Sequence, residues 1–191
     1  MKVRDSGMPE VELWNSFFDV TSILSRLGVD RSVGNLIEIG CGYGTFTLPA
    51  AQVISGQLFA YDIDPEMILY LDRQLAEQHI GNVRTECRDI LEATTGLSDH
   101  SADYVMLFNI LHYEYPRRFF DEAYRNLKPG GRVGVIHWRS DIKTPRGPDL
   151  AIRPKPEDIV RCIDQKRFEL SLTPVILEPY HYGMVFRSKK D

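Results

Sequence analysis

The chain has 191 residues, 43% of them hydrophobic and 26% charged, with a formal net charge of −4. That length suits one domain, and the balance is that of an ordinary water-soluble globular protein. The negative charge offers no basic field to a phosphate backbone, so nucleic acid is not an expected partner.

Three scattered cysteines, Cys41, Cys87 and Cys162, have no metal-ligand or redox spacing, and a reduced cytoplasmic compartment is the expectation. No apolar stretch reaches membrane-spanning length, and Met1-Lys-Val-Arg-Asp5 lacks the apolar segment of a signal peptide. No membrane insertion is expected.

Taken in chain order, Leu13, Phe17, Val20, Leu24 and Leu27 recur at steps of four and three, which predicts a helix over 10–27 closed by Gly28. A first strand is predicted over 35–39, and a helix begins near Thr45 with Pro49 close to its first turn. A second strand covers 57–61. The next helix starts at Pro65, puts Met67, Ile68, Leu71 and Leu75 on one face, and ends by Gly81. A third strand follows over 83–87. The fourth, 101–108, is apolar almost throughout, as expected of a strand buried on both faces. A helix over 117–127 is broken by Lys128-Pro-Gly-Gly131, which launches a fifth strand over 132–137. Four prolines keep 141–158 from being regular throughout. A helix over 156–166 then precedes two strands, 168–177 and 182–188. Their link is too short for a parallel crossover, so they pair antiparallel. Alternating strands and helices imply an α/β fold, a mostly parallel sheet with helices on both faces.

The most informative segment is Leu36-Ile-Glu-Ile-Gly-Cys-Gly-Tyr-Gly-Thr-Phe46, an apolar run ending in glycines 40, 42 and 44. Glycine lets a backbone turn sharply and approach a ligand closely. Asp62, at the end of the second strand, is placed to accept hydrogen bonds from the two hydroxyls of a ribose. A dinucleotide fingerprint would require glycine where Thr45 stands, so that reading fails.

The pattern Glu38-x-Gly40-x-Gly42-x-Gly44 resembles motif I of the class I S-adenosylmethionine-dependent methyltransferases. Seven strands ending in an antiparallel pair resemble their Rossmann-like sheet. Asp62-Ile-Asp-Pro-Glu-Met67, Asn109-Ile-Leu-His112 and Leu127-Lys-Pro-Gly-Gly131 are similar to the small methyltransferases of ubiquinone and menaquinone biosynthesis. Members acting on quinones are usually longer. The resemblance implies S-adenosyl-L-methionine as cofactor, with S-adenosyl-L-homocysteine as product. Position at the carboxyl ends of the strands, where a ligand lies in such a sheet, together with the resemblance puts Glu38, Gly40, Cys41, Gly42, Gly44, Asp62, Ile63, Asp89, Ile90 and Asn109 at the cofactor. The resemblance implies Asp62 on the ribose, Ile63 on an adenine face and Asp89 on the adenine amino group. Asp89 is equally suited to capping a helix, and Asp64 reads as a cap. A structural role is expected for Cys41.

Candidate bases, needed only if the acceptor arrives protonated, are His112 and His137; a structural role suits either equally. Trp14, Phe17 and Phe18 either cover the cofactor or pack the core. His181 and Tyr182 are candidates to close the acceptor side. His137, Trp138 and the 146–153 loop are expected to rim the acceptor pocket, the loop acting as a lid with arginines for an anionic group or else as a solvated loop. No metal is expected. The organisation read from the sequence is one domain, with an N-terminal helical cap (1–30), a cofactor-binding core (31–140), a Pro-rich loop (141–158) and a last helix with antiparallel strands (159–191). The expected partner is a small-molecule acceptor, with a homodimer left open. A domain that binds the cofactor without catalysis is the main alternative, and an NAD-dependent enzyme a lesser one.

Overall fold

The computed structural model describes residues 8–190; residues 1–7, the start of the expected cap, and Asp191 lie outside the described residues. The strands are β1 (Leu36–Ile39), β2 (Leu58–Asp62), β3 (Val83–Cys87), β4 (Ala102–Phe108), β5 (Leu127–Trp138), β6 (Phe168–Leu177) and β7 (His181–Ser188). They form one sheet in the order β3-β2-β1-β4-β5-β7-β6. The first five run parallel, while β7 inserts antiparallel between β5 and β6. This is the Rossmann-like α/β architecture predicted from the sequence.

The helices are α1 (Val11–Asn15), α2 (Val20–Arg26), α3 (Thr47–Val53), α4 (Pro65–Glu77), α5 (Ile90–Ala93), α6 (Arg117–Asn126) and α7 (Pro156–Cys162). Alternate strand residues feed two apolar layers, because successive side chains leave a strand on opposite faces. Leu36, Leu58, Tyr104 and Met106 join α2, α3 and α4 on one face. Ile37, Val105, Leu107, Val133 and Val135 join α6 and α7 on the other. The chain leaves β1 toward β2 and later returns to β4 on β1's opposite side, which opens a crevice at the carboxyl ends of these strands.

Three predicted elements differ. The single helix over 10–27 is two helices, because Asp19 caps a new start by accepting from the Ser22 N–H at 3.1 Å. The break turns Phe17 and Phe18 inward, 3% and 9% exposed. Strand β5 begins at Leu127 instead of Arg132. Ala102 pairs with Leu127 and Tyr104 with Arg132, so the register shifts and residues 128–131 bulge, where Pro129 has no N–H to give and Gly130 takes φ +68°. Helix α7 stops at Cys162, short of the predicted Lys166.

Candidate active site

The glycine loop is held from two sides. The N–H groups of Gly40 and Cys41 both donate to the Tyr61 carbonyl, at 2.7 and 3.0 Å. The Gly42 N–H donates to Asp62 Oδ2 at 2.8 Å, and Asp62 Oδ1 accepts from the Asp64 N–H at 3.0 Å. Asp62 therefore shapes the loop as well as facing the space beside it. Burial raises its pKa, opposed by these backbone hydrogen bonds. Asp64 caps α4 through the Glu66 N–H at 2.8 Å, as expected.

The crevice contains a cavity of about 440 Å³. Small-ligand sites occupy roughly 300–1,000 Å³. Of the sequence-named residues, Glu38, Gly40, Cys41, Gly42, Asp62, Ile63, Asp89, Ile90, Asn109 and His112 all line it. Ile63 is 45% exposed, an apolar surface available to a flat ligand. Asp89 caps α5 through the Leu91 N–H at 3.0 Å and also borders the cavity, so the capping role does not remove it from the site. Cys41 is buried and desolvation raises its thiol pKa well above the ordinary value, which fits a structural thiol.

Gly44 does not border the cavity. Its φ is +79°, and a Cβ there would fall 2.5 Å from Leu71 Cδ1, so its bareness lets α4 pack against the loop. Gly40, also at φ +79°, would place a Cβ 2.7 Å from Ile110 Cγ2.

Glu38 is 2% exposed. Its Oε2 accepts from Thr47 Oγ1 at 2.5 Å. Desolvation pushes its pKa up to about 8; the Thr47 hydrogen bond opposes this and the Asp62 charge adds to it.

A second cavity, about 70 Å³, is bounded by Met8, Pro9, Trp14, Asn109, His112, Trp138, Arg146, Gly147 and Pro148. It shares Met8, Trp14, Asn109 and His112 with the first. Asn109 follows β4 with φ +59° and its N–H bonded to the Ile136 carbonyl at 2.8 Å.

Several expectations are corrected here. His137 is fully buried and lines neither cavity; desolvation, then the neighbouring His112, hold its pKa well below the ordinary value. It is a neutral core residue beneath His112, ring centroids 5.6 Å apart. His181 is also fully buried, stacked on Phe18 at 4.5 Å and against Trp138 at 4.2 Å, and the Tyr182 hydroxyl donates to the Pro154 carbonyl at 2.8 Å. Neither borders either of these two cavities. Of the three aromatics near the N-terminus, Trp14 lines both cavities while Phe17 and Phe18 pack the core. Arg153 is not directed at a ligand. Its guanidinium donates to the carbonyls of Pro148, Arg139 and Arg146 at 2.7, 2.9 and 3.2 Å and lies over the Trp138 ring, stapling the loop.

Sequence reasoning did not assign Phe46, Tyr113 or Phe119 to the site, yet all three line the large cavity. Tyr113 directly follows the His112 that was selected, and Phe46 directly follows the glycine loop. Those positions were the available signals.

Residues 36–131, about half of the chain, match the family described as "Methyltransferase domain". The chain belongs to that family. Its cofactor is S-adenosylmethionine, and the lining suits that molecule. Glu38 and Asp62 offer carboxyl groups to a ligand with cationic centres and a ribose, and the bare glycines leave room for close approach. The ribosomal protein L11 methyltransferase of Oceanobacillus iheyensis is 33% identical over 161 residues, covering 78% of this chain and 49% of that protein. A ribosomal RNA small subunit methyltransferase A from Campylobacter curvus is 26% identical over 101 residues, covering 51% and 35%. The chain thus spans half or less of the length of the curated relatives it matches. The fold is shared with a SAM-dependent methyltransferase from Aquifex aeolicus, with a TM-score of 0.79 at 18% identity over 90% of both chains. It is shared as well with the N-methyltransferase NodS of Bradyrhizobium japonicum in complex with S-adenosylhomocysteine, with a TM-score of 0.70 at 19% identity over 90% and 86%. These findings support the class and not the quinone-biosynthesis branch. They also weaken the expectation of a small-molecule acceptor and of no nucleic-acid partner. Among the described residues no helix is long and apolar enough to cross a membrane, and no cluster of metal-ligating side chains occurs.

Proposed function

We propose that this domain transfers a methyl group from S-adenosylmethionine to a small acceptor whose reacting end enters the lesser cavity. The carrying observation is the wall common to the two cavities, built by Trp14, Asn109 and His112. Bound there, the cofactor supplies an electrophilic methyl on a sulfonium. Residues Glu38, Gly40, Gly42, Asp62, Ile63, Asp89 and Ile90 hold the cofactor in this reading. Trp14 and Trp138 keep water from the reacting atoms, and positioning with exclusion of water carries much of such a rate. His112, at the acceptor end, takes the proton of an acceptor that arrives protonated. His137 has no part in this.

The size of the lesser cavity argues against a long isoprenoid quinone. It favours a compact nucleophile-bearing group on either a free metabolite or a side chain. The likeness to ribosomal protein L11 methyltransferases makes a protein side chain the rival reading that the test must separate from the small acceptor. The test is release of S-adenosylhomocysteine from S-adenosylmethionine with a low-molecular-weight extract in one arm and ribosomal protein L11 in the other. Turnover in the extract alone supports the small-acceptor reading. Turnover with L11 alone overturns it in favour of a protein acceptor. Cofactor binding without turnover in either arm supports a non-catalytic binding module.

A further inference from the structure

Glu38 is a carboxyl group at the wall of the cofactor cavity, 2% exposed, on the buried strand β1. Its hydrogen-bond partner is the neutral Thr47 hydroxyl of α3. Its register neighbours across the sheet are Ala60 on β2 and Met106 on β4, both uncharged. The groups that face it are the Asp62 carboxyl at the end of β2 and the Cys41 thiol in the loop. No lysine, arginine or histidine forms an ion pair with Glu38 among the described residues, and Arg88, which also lines the cavity, pairs with Glu86 at 2.7 Å. An ionised carboxylate there would be buried without a counter-charge beside a second acid. Such a group takes up a proton instead.

Resting on the family's use of S-adenosylmethionine, we propose that Glu38 is a protonated charge sensor that surrenders its proton to solvent when a cationic ligand enters the cavity. The cation replaces the proton as the partner of the carboxylate. One O–H bond breaks, one proton passes to the buffer, and the ligand is unchanged. The site thereby selects cationic ligands over neutral ones that share the adenine and ribose. Binding is also coupled to pH near neutrality.

Calorimetry in buffers of different ionisation enthalpy tests this on the native protein. With Glu38 titrating at about 8 in the free protein, S-adenosylmethionine should release roughly 0.9 proton at pH 7. Its Kd should tighten nearly tenfold from pH 6 to pH 7. Adenosine, which has no cationic centre, should release none. In Glu38→Gln, whose amide oxygen still accepts from Thr47, proton release should vanish and the pH dependence flatten. An infrared carbonyl band of a protonated carboxyl should also be present in the free native protein and disappear on adding S-adenosylmethionine. Tight binding of S-adenosylmethionine with no buffer dependence and no such band overturns the proposal while leaving the cofactor reading intact. No binding of S-adenosylmethionine at any pH overturns the cofactor reading itself.

Discussion

Replacing His181 with phenylalanine should make the protein markedly less sensitive to acid. The imidazole is fully buried between Phe18 and Trp138, and neither ring nitrogen has a hydrogen-bond partner. Desolvation, with the nearby Arg153 charge second, lowers its pKa from 6.5 to about 3. The unfolded chain therefore binds a proton at a pH where the folded chain does not. The stabilising contribution is complete above pH 6.5 and falls with pH until the folded protein is itself protonated near pH 3. At about 1.4 kcal/mol per pH unit, roughly 2 kcal/mol is lost by pH 5 and about 5 kcal/mol across the whole window. For a chain of this size, 2 kcal/mol corresponds to roughly 4–8 °C in Tm. The aromatic stack accepts a phenyl ring, so His181→Phe should match the native protein within about 1 kcal/mol at pH 7.5. Thermal melts at pH 7.5, 6 and 5 read the effect. The native Tm should drop 4–8 °C further than the variant's, with the residual acid sensitivity of the variant assigned to His137. Parallel Tm curves for the two proteins would refute the reasoning.

Asp62→Ala removes the acceptor of the Gly42 N–H together with the two ribose hydrogen bonds assigned to it, and should raise the cofactor Kd about a hundredfold or more by calorimetry. Gly44→Ala forces a left-handed alanine against Leu71 and should cost about 2–4 kcal/mol in urea unfolding, although Gly44 lines neither cavity. Arg153→Ala frees three loop carbonyls from their common donor and should destabilise the fold by about 2–4 kcal/mol. It should also speed hydrogen exchange at the Arg146 and Gly147 amides, while a Kd for S-adenosylmethionine within twofold of native would agree with its absence from the lining of the larger cavity.

The sheet and the cofactor crevice were legible because both depend on local pattern. Apolar runs of strand length separated by helical periods imply a parallel sheet, and the short link at 178–181 imposes the antiparallel end. Glycines at 40, 42 and 44 with an acid at 62 mark strand tips whatever surrounds them. The N-terminal break was less visible, since Phe17 and Leu24 keep the helical spacing on either side of Asp19. The break lets Phe18 pack against Trp138 and His181, residues more than a hundred positions away.

The histidines make the same division clear. From the sequence, His112, His137 and His181 were three polar residues near strand ends, each able to serve chemistry or structure. Of the three, only His112 lines the two cavities described, because it lies past β4 at the crevice, while β5 and β7 pair His137 with Tyr182 and Trp138 with His181 inside the sheet. Likewise Arg153 was open to reading as a clamp for an anion or as part of a solvated loop until its three carbonyl partners placed it inside the loop. Backbone geometry and the chemistry of a ligand loop are written in short-range spacing, and the sequence by itself determined those. Which polar groups are dry, what opposes them and therefore whether they carry charge depends on neighbours brought together from distant segments, and only the tertiary structure decided that.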